Sequence, residues 1–223
     1  MKKTASPNDR SHLQWLLGLS VLSWTLSAPA NPVGGTVNQG TASFTSLGSQ
    51  FTIRTSDRTY INWQSFNIGL GETTSFLQPS SSSVVWNHIN DPNASQILGN
   101  LNANGYVILQ NQNGFFIGGQ AVINTHGLLM TTAPIPMPDL STGGPWDIKC
   151  PPPSASIINY GQINVEKGGS VFLISHDIDN HGTIWAPEGN IGLYAGKEVL
   201  VSDRPDGRGL SAMPSAITRG RAR

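Results

Sequence analysis

Two stretches of the chain repeat one pattern with a period of about 20 residues. Asn159-Tyr160-Gly161-Gln162-Ile163 returns as Asn180-His181-Gly182-Thr183-Ile184, an offset of 21. Gly169-Ser170-Val171-Phe172-Leu173 returns as Gly189-Asn190-Ile191-Gly192-Leu193, an offset of 20. Each unit is Asn-x-Gly-x-Ile, a linker, and Gly-x-β-x-Leu. Asn and Gly tolerate positive φ, so Asn-x-Gly marks a tight corner. Apolar residues two apart share one side of a strand. A coil of that length with short strands and sharp corners is one rung of a parallel β-helix. Its partners Ile163/Ile184, Val171/Ile191 and Leu173/Leu193 are expected to stack inside.

The rest of the chain suits the same class. Short β-rich runs, among them Gln50–Arg54, Tyr60–Trp63, Ser83–Trp86, Tyr106–Leu109, Phe115–Ile117 and Ala121–Ile123, are bounded by Gly, Asn and Ser. Beyond residue 30 no long stretch carries a 3.6-residue apolar period. Asn104-Gly105 and Asn113-Gly114 each precede such a run, in an earlier and less regular half of the repeat. The segment from Ala133 to Ser156 breaks the pattern, with seven of the 15 prolines. Proline cannot donate to a strand ladder, so 133–156 reads as an excursion off the coil, functional or disordered.

Charge narrows the functional classes. Lys plus Arg is 13 and Asp plus Glu is 13, and together they are 12% of the chain, against about 25% in an average domain. A neutral chain of this kind is no basic nucleic-acid binder. No Lys or Arg occurs between Arg58 and Lys149, where the charges are Glu72, Asp91, Asp139 and Asp147. Solubility there must rest on Asn, Gln, Ser and Thr.

Residues 1–30 read as a secretory signal peptide. Lys2, Lys3 and Arg10 precede a mostly apolar run from Leu13 to Leu26, and Ala28-Pro29-Ala30 supplies small residues for cleavage near Ala30. The mature chain is then expected outside the cytoplasm, secreted or at the cell surface. Cys150 is the only cysteine, so no internal disulfide forms and the thiol reads as incidental.

Three further runs carry a resemblance: Ile61-Asn62-Trp63-Gln64-Ser65-Phe66-Asn67-Ile68-Gly69-Leu70-Gly71-Glu72-Thr73, Ser95-Gln96-Ile97-Leu98-Gly99-Asn100-Leu101-Asn102-Ala103-Asn104-Gly105-Tyr106-Val107, and Leu109-Gln110-Asn111-Gln112-Asn113-Gly114-Phe115-Phe116-Ile117-Gly118. Together they resemble the N-terminal secretion domain of filamentous haemagglutinin-type proteins, the exported partners of two-partner (type Vb) secretion in Gram-negative bacteria. The resemblance spans roughly 31–205. It implies an all-β fold, a right-handed parallel β-helix (solenoid) with an N-terminal cap and extra-helical strands. It also implies recognition by an outer-membrane β-barrel transporter with periplasmic domains, and no catalysis.

The family's Asn-Pro-Asn-Gly-Ile turn falls on Asn111, Gln112, Asn113, Gly114 and Phe115, with Gln112 for the proline. These five are carried over as transporter-recognition residues. Asn159, Gly161, Ile163, Asn180, Gly182 and Ile184 are the structural turn and rung residues. For a second family motif, Asn-Pro-Asn-Leu, the nearest proline turn is Gln78-Pro79-Ser80-Ser81. Residues 206–223 lack the rung pattern and read as a disordered tail. Family members continue into a long passenger, so the chain reads as a truncated product or a stand-alone secretion module.

Two other readings remain open. One is a surface adhesin fragment that binds a host receptor or carbohydrate. The other is a β-helical polysaccharide-cleaving enzyme using Asp177 and Asp179, which share a face on a strand. A metal centre from His176, Asp179 and His181 has no recognised spacing, and alternation would keep the two histidines apart. Trp63, Phe66, Trp86, Phe115, Phe116 and Trp185 could form a sugar-stacking platform, but most lie in alternating strand runs and are expected to pack in the core or cap. No cofactor, metal or nucleic acid is expected, and the chain is expected to be a monomer.

Overall fold

The computed structural model describes residues 31–148, 155–196, 199–203 and 210–214. The signal-peptide reading, Cys150 and the remainder of the tail lie outside them. The chain winds into a parallel β-solenoid of about six turns. Four successive coils show the plan. Ser95–Ile97, Asn100–Ala103 and Tyr106–Asn111 form one. Phe115–Ile117, Val122–Thr125 and Gly127–Thr131 form the next. After the excursion come Ser156–Asn159, Gln162–Val165 and Val171–Ser175, and then Asp177–Asn180, Thr183–Trp185 and Ile191–Ala195. The first strands of the coils build a four-stranded first face, and the second and third strands extend into seven-stranded second and third faces.

The register is the repeat made physical. Asn159 lies beside Asn180, Ile163 beside Ile184, and Val171 and Leu173 beside Ile191 and Leu193. Inward residues of all three faces join one apolar column that includes Ile97, Leu101, Leu109, Phe115, Ile123, Ile157, Ile163 and Leu173. Burying each such side chain contributes roughly 1.5–3 kcal/mol, which short rungs need because none has a core of its own. At the N-terminal end, the antiparallel hairpin of Ala42–Leu47 and Gln50–Thr55 carries Phe44 and Phe51, each edge-on to Trp63.

The third face is apolar on both sides, which strict alternation does not anticipate. Tyr60, Val84, Trp86, Tyr106, Ile108, Leu129, Phe172 and Ile174 point away from the solenoid axis and form a second buried cluster. The described part of the proline-rich excursion covers them. Its Trp146 packs edge-on against Trp86 at 5.4 Å. Trp86 Nε1 donates to Gln110 Oε1 (2.8 Å), and Gln110 Nε2 donates to the carbonyls of Ile135 (2.8 Å) and Ala133 (3.2 Å). One buried amide thus ties the excursion to the sheet and satisfies carbonyls whose proline neighbours preclude a ladder.

A three-stranded antiparallel sheet of Trp146–Ile148, Val199–Asp203 and Leu210–Pro214 extends this layer. The strand Leu210–Pro214 falls within 206–223, the stretch that lacks the rung pattern. Leu210 is buried in the outer cluster, and its strand gains a partner in Val199–Asp203. The apolar outer surface of the third face supplies a reason for order that the rung pattern does not contain.

Polar ladders run along the outside. On the second face Asn164 Nδ2 donates to Asn124 Oδ1 (3.1 Å) and Asn124 Nδ2 to Asn102 Oδ1 (3.3 Å). On the third, His88 Nδ1 lies 2.8 Å from Asn62 Oδ1, and Asn62 Nδ2 donates to Asn38 Oδ1 at 2.7 Å. Burial holds the His88 imidazole below its ordinary pKa. Below about pH 6.5 the unfolded chain takes up a proton that the folded imidazole resists, so stability present above that pH is lost as pH falls. The urea midpoint should drop from pH 7 towards pH 5, and His88→Gln should remove part of that slope. An unchanged slope in the variant would refute the assignment.

Candidate recognition surface

The turn from Asn111 to Gly114 joins the third face to the first. Asn111 is fully buried. Its Oδ1 accepts from the Asn113 amide (2.9 Å), closing an Asx turn, and its Nδ2 donates to the Asn93 carbonyl (3.1 Å) and Ser95 Oγ (3.0 Å). Gly114 N donates to the Asn111 carbonyl at 3.1 Å. Gly114 has φ +102°, and a Cβ there would stand 2.6 Å from the Ser156 carbonyl oxygen, so glycine is required by both conformation and space. Phe115 is buried in the central column. Of the five residues carried over by resemblance, Gln112 and Asn113 are exposed and the other three are buried.

The structure sets a second turn directly beneath, which sequence reasoning missed. In Asp91-Pro92-Asn93, Asp91 Oδ1 accepts from the Asn93 amide (2.9 Å) and from Asn93 Nδ2 (3.1 Å). Asn113 Nδ2 donates to the Asp91 carbonyl at 2.7 Å. The two Asx turns are stacked and laced by side-chain amides. Their signal was available: Asp91 and Asn93 precede Asn111 and Asn113 by 20 residues, the period of the repeat. Gln78-Pro79, taken as the nearest proline turn, lies elsewhere, and the Gln78 amide bridges the carbonyls of Ser83 and Tyr106.

The later corners use a related device. Asn159 Oδ1 accepts from the Gly161 amide (3.0 Å), and Asn159 Nδ2 donates to Asn180 Oδ1 (2.7 Å). Positive φ is not the reason for glycine at 161 and 182; neither occurs among the positive-φ residues. Close approach is the reason. A Cβ on Gly161 would lie 2.7 Å from the Ala121 and Gly118 carbonyl oxygens, and one on Gly182 would lie 2.1 Å from that of Gly161.

The charged cluster behaves as strand alternation requires. Ile178 pairs with buried Ile157 and packs against the central column, while Asp177 and Asp179 are exposed. Each carboxylate faces an imidazole, Asp177 at 3.2 Å from His176 Nδ1 and Asp179 at 2.9 Å from His181 Nε2. The His181 ring also stacks on Tyr160, with centroids 4.8 Å apart. Among the described residues no three His, Cys, Asp or Glu converge as metal ligands.

Two expectations about apolar residues need correction. Ile191 and Leu193 occupy the inward register but are 48% and 47% exposed, because no described coil lies on top of theirs. Trp185 is 59% exposed, not packed in core or cap. It continues the outward row of Asn164, while its neighbour Ile184 pairs with Ile163 in the inward one.

A parallel solenoid with stacked Asx corners, an aromatic end hairpin and an extra antiparallel layer defines a class of exported β-helix domain, and comparison with known proteins gives its family. The family model described as the TPS secretion domain matches residues 28–221. The chain belongs to that family and is the secretion-targeting domain of a two-partner exoprotein. The crystal structure of the HMW1 secretion domain from Haemophilus influenzae superposes with a TM-score of 0.76 at 34% identity, covering 83% of this chain and 49% of that one. A heme/hemopexin-binding protein of Haemophilus influenzae is 43% identical over 107 residues, 48% of this chain and 12% of that protein. A second protein so described from the same species is 48% identical over 77 residues, 34% of this chain and 8% of that one. The chain therefore matches only a small part of these curated relatives.

Proposed function

We propose that the stacked turns at Asp91–Asn93 and Asn111–Gly114 are where an outer-membrane β-barrel transporter, through its periplasmic domains, recognises this chain. The observation that carries this reading is the exposure of Gln112 and Asn113 on a corner fixed by the buried Asn111 amide. The surface is pre-organised, so binding costs little ordering entropy. It also lies within the stretch of sequence free of Lys and Arg. The signal peptide, cleaved near Ala30, brings the chain to the periplasm, and the domain leaves as a monomer.

Folding outside the cell completes the mechanism. Ile191 and Leu193 on the last described coil form a half-covered apolar floor. A further coil stacking there would bury them, and each added rung would favour outward movement. Binding of a host receptor by residues beyond this domain fits the same export role.

The test is co-expression of the full chain with and without its transporter, measuring extracellular protein. Gln112→Arg should lower export by about tenfold, equivalent to about 1.4 kcal/mol of recognition, with the melting temperature unchanged. Equal export of the variant, or export without the transporter, would overturn the reading.

A further inference from the structure

We propose that the outer surface of the second face binds a neutral, linear glycan. Ser75, Asn102, Asn124, Asn164 and Trp185 occupy one outward column, each beside the next in register. Parallel stacking sets successive members about 4.8 Å apart, a spacing comparable to one hexopyranose ring along a polymer. The column floors a shallow groove of about 450 Å³, within the roughly 300–1,000 Å³ usual for small-ligand sites.

The chemistry of the column suits sugar hydroxyls. An Asn amide has two N–H donors and an oxygen with two lone pairs. The ladder takes one N–H and one lone pair from Asn124, leaving one of each. Such a pair matches a hydroxyl, which donates and accepts at once. The same ladder fixes the amide orientations, so binding need not freeze those rotamers.

At the end of the column Trp185 supplies the apolar element. Its exposed indole can lie against the C–H face of a pyranose ring, in a residue type favoured as a binding anchor. Strand alternation turns it outward, so a further coil stacked on this edge would cover Ile184 and leave the outer indole face available.

Charge selects the class of occupant. Among the described residues the groove is lined by no Lys or Arg, and the one charged residue in its lining is Glu166. The Glu166 carboxylate sits 3.0 Å from His126 Nδ1. A polyanion would therefore meet a carboxylate in the groove, since the exposed Arg54 stands beside Leu77 at the far edge and off the Asn column, whereas a neutral polymer loses nothing. This site lies on a different face from the turns proposed for the transporter, so either reading can fail alone.

The test titrates the full chain with cellohexaose, chitohexaose and maltohexaose, followed by tryptophan emission and by the Asn side-chain amide signals in NMR spectra. At least one should bind saturably, with Kd on the order of 1 mM or tighter. Trp185→Ala should weaken that binding roughly tenfold or more, as loss of an aromatic anchor does, with the melting temperature held. Asn124→Ser should weaken it separately and shift the Asn102 and Asn164 amide signals. No saturable binding by any of the three sugars, or binding untouched by both variants, would overturn the proposal. Binding of heparin alone would overturn it too, since that polymer is anionic.

Discussion

Gly169→Ala is expected to lower the melting temperature by roughly 6–12 °C, the shift that about 3 kcal/mol produces in a domain of this size. Gly169 is buried where the second face turns into the third, directly over the preceding coil. A Cβ there would lie 1.8 Å from the His126 carbonyl oxygen, and a Cβ on Gly189, one coil on, would lie 1.6 Å from that of Gly169. The opposing atoms are backbone, so no side chain can rotate away. The coils would have to part, and the Leu128–Val171 pairing and the core behind it would loosen together. Gly168→Ala is the control. That residue has φ +83° with open space around it, so it should cost only the conformational penalty of about 1–2 kcal/mol. Thermal melts of both variants separate collision from backbone strain. Equal shifts would mean that close coil contact is not what selects glycine at 169.

That distinction marks how far the fold was legible. Period, strand spacing and inward apolar partners were on the sequence because stacking demands the same residue type at the same place in each coil. Ile163/Ile184 and Leu173/Leu193 follow from that demand alone. The reason for the corner glycines was not legible, since an Asn and Gly corner does not say whether glycine serves positive φ and close approach together, as at Gly114, or close approach alone, as at Gly161. The covered outer surface of the third face was hidden for a different reason. Trp86, Ile108 and Leu129 alternate with other apolar residues, and a strand apolar on both sides has no period to read. Its cover lay in a proline-rich segment that local rules assign to a loop. Only the long-range pairing of Trp86, Gln110 and Ile135 reveals it.

The proposed recognition surface was legible by half. The Asn111–Gly114 turn was found by resemblance to a motif, and its stacked counterpart at Asp91–Asn93 was missed because Asp replaces Asn. Physically the replacement is neutral there: an Asx turn needs only a side-chain oxygen two residues before the amide it accepts. Trp185 was misjudged because an aromatic residue in an alternating run is usually buried. Its partners in the column, Asn164 and Asn124, were the available sign that this row faces outward.

The asymmetry between the two turns gives the second large effect. Asn111→Asp should destabilise strongly at pH 7 and recover at acid pH, although Asp91 fills the corresponding role one coil earlier. Asp91 needs only to accept from Asn93, and a carboxylate oxygen does that well. Asn111 must also donate, to the Asn93 carbonyl and Ser95 Oγ, from a fully buried position. A carboxylate there would face the Asn93 carbonyl with no proton between them, a buried charge without a countercharge. The Ser95 hydroxyl can turn to donate to the carboxylate, but loss of the bond to the Asn93 carbonyl and the desolvation of the charge should cost about 3 kcal/mol at pH 7. The charge is disfavoured only in the folded chain, so the substituted carboxyl would titrate above its ordinary range of about 4. Between the unfolded and folded values the folded state holds the extra proton, so stability falls as pH rises. Urea midpoints at pH 4 and pH 7 should therefore move in opposite order to those set by His88 in the parent chain. A variant equally stable at both pH values would show that the Asn111 donor does not hold the two turns together.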